Sequence, residues 1–230
     1  MKKLLVVFVV LILLAGAGII YLVQPKNLGI KYSAQDHQAF NNKIKVSHEE
    51  LPADSPSGKT LIASGNHPVD ETFSSEELSA AADNRHKDYV YFPFHKVQIR
   101  VNSDGSVEGS ASVSFQDAVN YLLALGVNSA DISEGTKKFK IPNASLPVYL
   151  KVSGSVENNT SRISVQQAKI ANIGVPQNLI DEYGPGLNDL VNSVISDRQP
   201  SYNVEKLEAV GGKVHFKGTS PDREQSVRSK

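Results

Sequence analysis

Six histidines have the side-chain type suited to act as a general base or metal ligand near neutral pH: His37, His48, His67, His86, His95 and His215. Their spacing converges on neither chemistry. No two stand four apart on a helix with an intervening glutamate, the arrangement that holds zinc and supplies a base. His86 and His95 bracket a strand, and a nine-residue separation places them at its opposite ends. They read as surface histidines. Glu76-Glu77 has the composition of an acid/base pair, but Ser74 stands three residues before Glu77, which reads as a capping box. Acidic groups there favour a helix N-terminus.

Other reactive patterns are incomplete. No Gly-x-Ser-x-Gly elbow occurs, so an α/β-hydrolase nucleophile lacks its turn. Gly184-Pro185-Gly186 falls between helices, whereas a dinucleotide fingerprint needs a preceding strand and three glycines. Asn102-Ser103-Asp104-Gly105 resembles part of a calcium loop, but Arg100 occupies the first-ligand position and no glutamate stands at the twelfth. Cysteine is absent, which excludes disulfides, thiolate metal sites and a lipoprotein anchor. The sequence therefore predicts no enzyme, no catalytic residue, no metal and no cofactor.

The aromatic cluster Tyr89, Tyr91, Phe92 and Phe94 supplies the candidate ligand-binding residues. As core, the two phenylalanines face inward and the tyrosines rim a sheet; as a site, all four line an apolar groove or meet the membrane interface.

These residues have to be positioned by a small set of elements. Ser33 opens a modest helix to about Lys45, and the Ser-, Pro- and Glu-rich stretch from Val46 to Gly58 reads as a linker. A short strand covers Thr60 to Ala63, and a helix follows Ser74. Val97, Ile99 and Val101 alternate with polar residues, Asp104-Gly105 turns, and the return strand sets Val107, Gly109, Ala111 and Val113 on one side. Gln116 to Leu125 reads as a helix capped by Gly126. A second hairpin turns at Asn158-Asn159, Pro176 opens helices broken at Gly184-Pro185-Gly186, and a third hairpin turns at Gly211-Gly212. Three hairpins separated by helices predict an α+β fold, one antiparallel sheet packed with helices.

Leu4 to Val23 is an uncharged run of twenty residues, fifteen of them Leu, Ile, Val or Phe. As a helix it would measure about 30 Å, the thickness of a bilayer core. Those side chains favour insertion by roughly 5 to 9 kcal/mol. Ala15-Gly16-Ala17 offers a signal-peptidase site, but cleavage there would leave an apolar terminus, so an uncleaved anchor is expected. Lys2 and Lys3 favour a cytoplasmic N-terminus. The expected organisation is a cytoplasmic tail at 1–3, a transmembrane helix at 4–23, a stalk with short helix and linker at 24–58, an extracytoplasmic domain at 59–219 and a disordered tail at 220–230. The chain carries 24 basic and 24 acidic residues, so no basic excess exists to hold nucleic acid.

The final third carries a recognisable order: Val152-Ser153-Gly154-Ser155-Val156, then 163–173, then Gly174-Val175-Pro176, Tyr202-Asn203-Val204-Glu205-Lys206-Leu207 and Gly212-Lys213-Val214-His215-Phe216-Lys217-Gly218. It resembles the YpmS-like single-pass extracytoplasmic proteins and, more remotely, the bacterial lipid-binding proteins of the tubular (TULIP, BPI-like) superfamily. The resemblance covers residues 140–219. It implies a long curved antiparallel sheet wrapped on a helix, with an apolar groove for acyl chains. The helices here depart from that pattern in being short and interrupted at Gly184-Pro185-Gly186.

The functional expectation is a single-pass, membrane-tethered, extracytoplasmic binding module that is not an enzyme and whose partners are the lipid bilayer, through Leu4 to Val23, and a lipid or other apolar ligand. The alternative is an interaction or scaffold protein of an envelope assembly, holding a partner by an exposed strand edge or by the stalk.

Overall fold

The structure, a computed structural model, describes residues 24–56, 59–125, 127–130, 132–133 and 144–228. The apolar run at 4–23 and the expected Gly126 cap lie outside the described residues, as do positions 57 and 58 of the expected linker and 229 and 230 of the expected tail. Among the described residues, no helix is long and apolar enough to cross a membrane.

The elements follow in the order α1 (Ala34–Ile44), β1 (Ser47–Glu50), β2 (Leu61–Ser64), β3 (His67–Phe73), α2 (Ser75–Asp88), β4 (Phe94–Val101), β5 (Ser106–Ser114) and α3 (Phe115–Ala124). Then come β6 (Ser145–Glu157), β7 (Thr160–Ile170), β8 (Ile173–Gly174), α4 (Gln177–Tyr183), α5 (Pro185–Asp197), β9 (Asn203–Val210), β10 (Lys213–Ser220) and β11 (Arg223–Ser226). The fold is α+β with a mostly antiparallel sheet, as the hairpin pattern predicts. The capping box forms: the Glu77 amide donates to Ser74 Oγ at 3.2 Å, and the Ser74 amide donates to Glu77 Oε2 at 2.8 Å. Two consecutive positive φ angles at Asn158 and Asn159, 49° and 62°, close β6 onto β7 as a two-residue hairpin requires.

The large sheet runs β3-β10-β9-β6-β5-β4, with β7 on the other edge of β6 and β8 beyond it. Strand β6 is where it forks. Ser145 to Ser153 pair with β5, and Ser155, Val156 and Glu157 pair with β9. A small sheet has the order β1-β11-β2, with β11 in the middle, parallel to β1 and antiparallel to β2.

Two helices cover sheet edges with polar side chains. Along α2, Ser75, Ser79 and Asp83 stand at four-residue spacing and accept from the Val101, Ile99 and Val97 amides at 3.0, 2.8 and 3.0 Å. Four helical residues rise about 6 Å and two strand residues about 6.6 Å, so the helix stripe matches the ladder of free amides. On α5, Asn188 accepts from the Ile163 amide at 2.7 Å and donates to its carbonyl at 2.9 Å, while Asn192 accepts from the Ser161 amide at 2.8 Å. Both strands are thereby closed to further pairing along these stretches.

The core gathers Val69, Phe73, Val156, Ile195, Val204 and Phe216, with Phe40, Ile44, Leu78, Val191, Tyr202 and Leu207 packed against it. This placement corrects the expected stalk at 24–58. Phe40 of α1 lies 4.9 Å from Phe73 by ring centroids, and β1 pairs residue for residue with β11, so the segment is part of the fold. The expected disordered tail at 220–230 is corrected by the same pairing. Both strands are polar, Ser-His-Glu-Glu and Arg-Glu-Gln-Ser, so neither shows apolar alternation. On β5, Ser106, Glu108 and Ser110 are buried more completely than Val107 and Gly109, because the polar face is covered by charged partners described below.

Candidate functional site

A cavity of about 370 Å³ lies among α1, α2 and the small sheet. Its apolar wall comes from Phe40 and Ile44 of α1, Leu78 and Ala81 of α2, and Phe92 and Ile99 at β4. The amphipathic placement of α1 explains the first pair, since Phe40 and Ile44 are four residues apart on its inner face. The volume falls at the small end of the roughly 300–1,000 Å³ usual for ligand pockets.

The polar end is built by residues far apart in sequence. Glu224 of β11 is buried and forms an ion pair with the Arg85 guanidinium of α2. His48 Nδ1 of β1 stands 3.6 Å from the same carboxylate oxygen. That separation is too long for a hydrogen bond, and His48 Nδ1 is buried without one. Burial pushes the Glu224 carboxyl up, but His48 and the Arg85 and Arg198 charges outweigh it and bring it down to about 2. Burial also lowers the pKa of His37, against the opposing pull of Asp88.

Arg198, just past α5, lines the same cavity and is half-buried. Its side chain makes no hydrogen bond or ion pair among the described residues, whereas Arg85 is committed to Glu224. Tyr202 stands nearby, stacked on Phe216 at 5.9 Å and 12°, with its hydroxyl pKa raised by burial. The arrangement is an apolar chamber whose polar end sets Arg85 and Arg198 against the carboxylates of Glu224 and Asp88, with one buried imidazole nitrogen on His48.

Of the four sequence-predicted residues, Phe92 reaches this cavity. Tyr89 is 2 % exposed, shares a 2.9 Å hydrogen bond with Thr60 Oγ1, and lines a separate cavity of about 260 Å³ that also meets Arg198. The structure does group the four: Tyr89 lies 5.8 Å from Tyr91, Phe92 lies 5.2 Å from Phe94, and Tyr121 of α3 sits 6.4 Å from Tyr89 and 6.1 Å from Phe92. Tyr121 was not among the expected members.

The histidines are less scattered than their spacing predicts. His37 and His48 face one cavity. His86 and His95 do not stand at opposite ends of a strand; their rings are 4.7 Å apart, because His86 lies in the last turn of the helix that packs along β4. His67 is held on both nitrogens, by Asp222 at 2.8 Å and the Ile44 carbonyl at 2.9 Å, and His215 pairs with Asp70 at 2.7 Å. Among the described residues, no group of three His, Asp or Glu side chains is arranged to hold a metal ion.

A second buried carboxylate, Glu108, anchors the start of the described chain. It accepts from Tyr149 Oη at 2.7 Å, Asn102 Nδ2 at 3.2 Å, Lys26 Nζ at 3.2 Å and the Arg100 guanidinium. Burial pushes its pKa up, but these donors outweigh it and bring it down to about 2, while burial and Glu108 push Tyr149 up to about 12. The Lys26 ammonium lies 3.8 Å from the centre of the Tyr149 ring, a cation–π contact. Leu28 is buried, and its amide donates to Gln98 Oε1 at 2.6 Å.

No family model, no curated protein and no solved structure matches this chain.

Proposed function

We propose that this protein is a membrane-tethered, extracytoplasmic binding module that takes a small lipid or related amphiphile into the cavity between α1 and α2. The observation that carries the reading is the apolar chamber with Arg198, whose side chain makes no hydrogen bond or ion pair among the described residues, at its polar end. Each buried methylene of a ligand contributes about 0.8 kcal/mol, and a half-buried guanidinium favours an anionic head. The uncharged run at 4–23 supplies the tether, with the N-terminus cytoplasmic, and the module acts by binding without catalysis.

Mass spectrometry of lipids retained by the full chain purified in detergent tests the reading. A bound single-chain amphiphile is expected in the native protein and is expected to be lost from Ala81→Phe, which fills the chamber. Native protein free of such a ligand, and unable to take one up, would overturn it.

A further inference from the structure

Ile170 and Ile173 are register partners across the two-residue turn Ala171-Asn172, whose φ angles of 50° and 59° make it a tight hairpin. Directly opposed residues of a hairpin project to one face, so the two isoleucines form an apolar pair at its tip. They are 45 % and 66 % exposed. From the turn, Asn172 Nδ2 donates to the Gln24 carbonyl at 3.0 Å. Gln24 is the residue that follows the uncharged run, and Lys26 and Leu28 behind it are fixed by Glu108 and Gln98. Gln24 is therefore held beside the turn that carries the isoleucine pair. One exposed cation lies beside Gln24: Lys96 shares a cavity of about 230 Å³ with Gln24 and Lys26.

We propose that the Ile170–Ile173 hairpin tip is a second membrane contact, inserted in the interfacial layer of the bilayer that the 4–23 run spans. Lys96, beside Gln24, is then placed at the level of the lipid phosphates. The proposal rests on the tether reading, since it is the end of that run that brings the tip to the lipid. Two apolar side chains alone bind a bilayer weakly, and the tether converts their contact into an intramolecular one that fixes the orientation of the domain.

The chain contains no tryptophan, so Ile173→Trp in the full chain introduces a single reporter at an exposed position. Val210→Trp serves as the control: Val210 is 56 % exposed and follows Ala209, whose carbonyl faces Gly105 in the turn at the other end of β4 from Lys96. Both variants are reconstituted in phosphatidylcholine–phosphatidylglycerol vesicles with brominated acyl chains, and each is washed in alkaline carbonate to score the tether. The expected result is retention of both, with emission of the Ile173→Trp reporter reduced about twofold or more by the bromines and that of Val210→Trp reduced only by aqueous iodide. Retention with both reporters reached only by iodide would overturn the contact and leave the tether standing. Release into carbonate would overturn the tether, and the contact with it.

Discussion

Ser79 Oγ accepts a hydrogen bond from the Ile99 amide at 2.8 Å, at a position with no solvent exposure. One hydroxyl thus takes the place of a neighbouring strand for the centre of β4, flanked by Ser75 and Asp83, which do the same one helical turn to either side.

Ser79→Ala leaves that amide buried and unpaired, at a cost of about 1–3 kcal/mol. Thermal unfolding of the variant is expected to fall by several degrees, since about 1 kcal/mol shifts the midpoint of a domain this size by roughly 2–4 °C. An unchanged midpoint would mean that water reaches the Ile99 amide and that the helix does not seal the edge.

Gly154 lies at the fork of β6 with φ +134°, and a Cβ there would approach the Arg162 carbonyl to 2.0 Å. Gly154→Ala forces β6 and β7 apart and is expected to cost at least about 2 kcal/mol, combining overpacking with a backbone angle alanine disfavours. Denaturant titration measures it; a loss below about 0.5 kcal/mol would show that the fork relaxes freely.

Glu108 and Glu224 are both held at about 2, below the ordinary glutamate value. A depressed folded pKa means that the unfolded chain binds the proton first as pH falls. The stabilisation from each is complete above the ordinary value and lost as pH drops through about 2. Stability from denaturant titration is therefore expected to decline between about pH 5 and pH 2, and Glu224→Gln and Glu108→Gln are each expected to be less stable at pH 7 with a flatter acid limb. Acid limbs parallel to the native one would contradict the assignment.

Arg198→Leu keeps the aliphatic part of the chamber wall and deletes the guanidinium charge. Affinity for a single-chain fatty acid, followed by calorimetry at neutral pH, is expected to weaken about tenfold or more, while a neutral alcohol of the same length loses little. Equal losses for both ligands would separate Arg198 from head-group recognition.

The three hairpins were legible because each couples period-two alternation to a turn with a backbone requirement, at Asp104-Gly105, Asn158-Asn159 and Gly211-Gly212. The small sheet was not. Ser47 and Arg223 are register partners across 176 positions, and strands of four polar residues carry no periodicity that names a face. The candidate site inherits this opacity, because Glu224 and His48 sit on those two strands and Arg85 and Arg198 meet them only through packing. Phe92 was visible as one member of an aromatic cluster. The alternation on β5 pointed to its valines, and the deeper burial of Glu108 depends on Lys26 and Arg100 arriving from elsewhere in the chain.

Strand β11 is the middle member of the small sheet and is synthesised after every other described strand. β1 and β2, made far earlier, have no shared ladder until it arrives. A nascent chain can close its hairpins in order of synthesis, but the cavity wall that carries Glu224 waits for Arg223–Ser226 to be made. A chain that stops short of Arg223 can hold most of its large sheet, yet β1 and β2 stay unjoined and the chamber lacks the wall that carries Glu224.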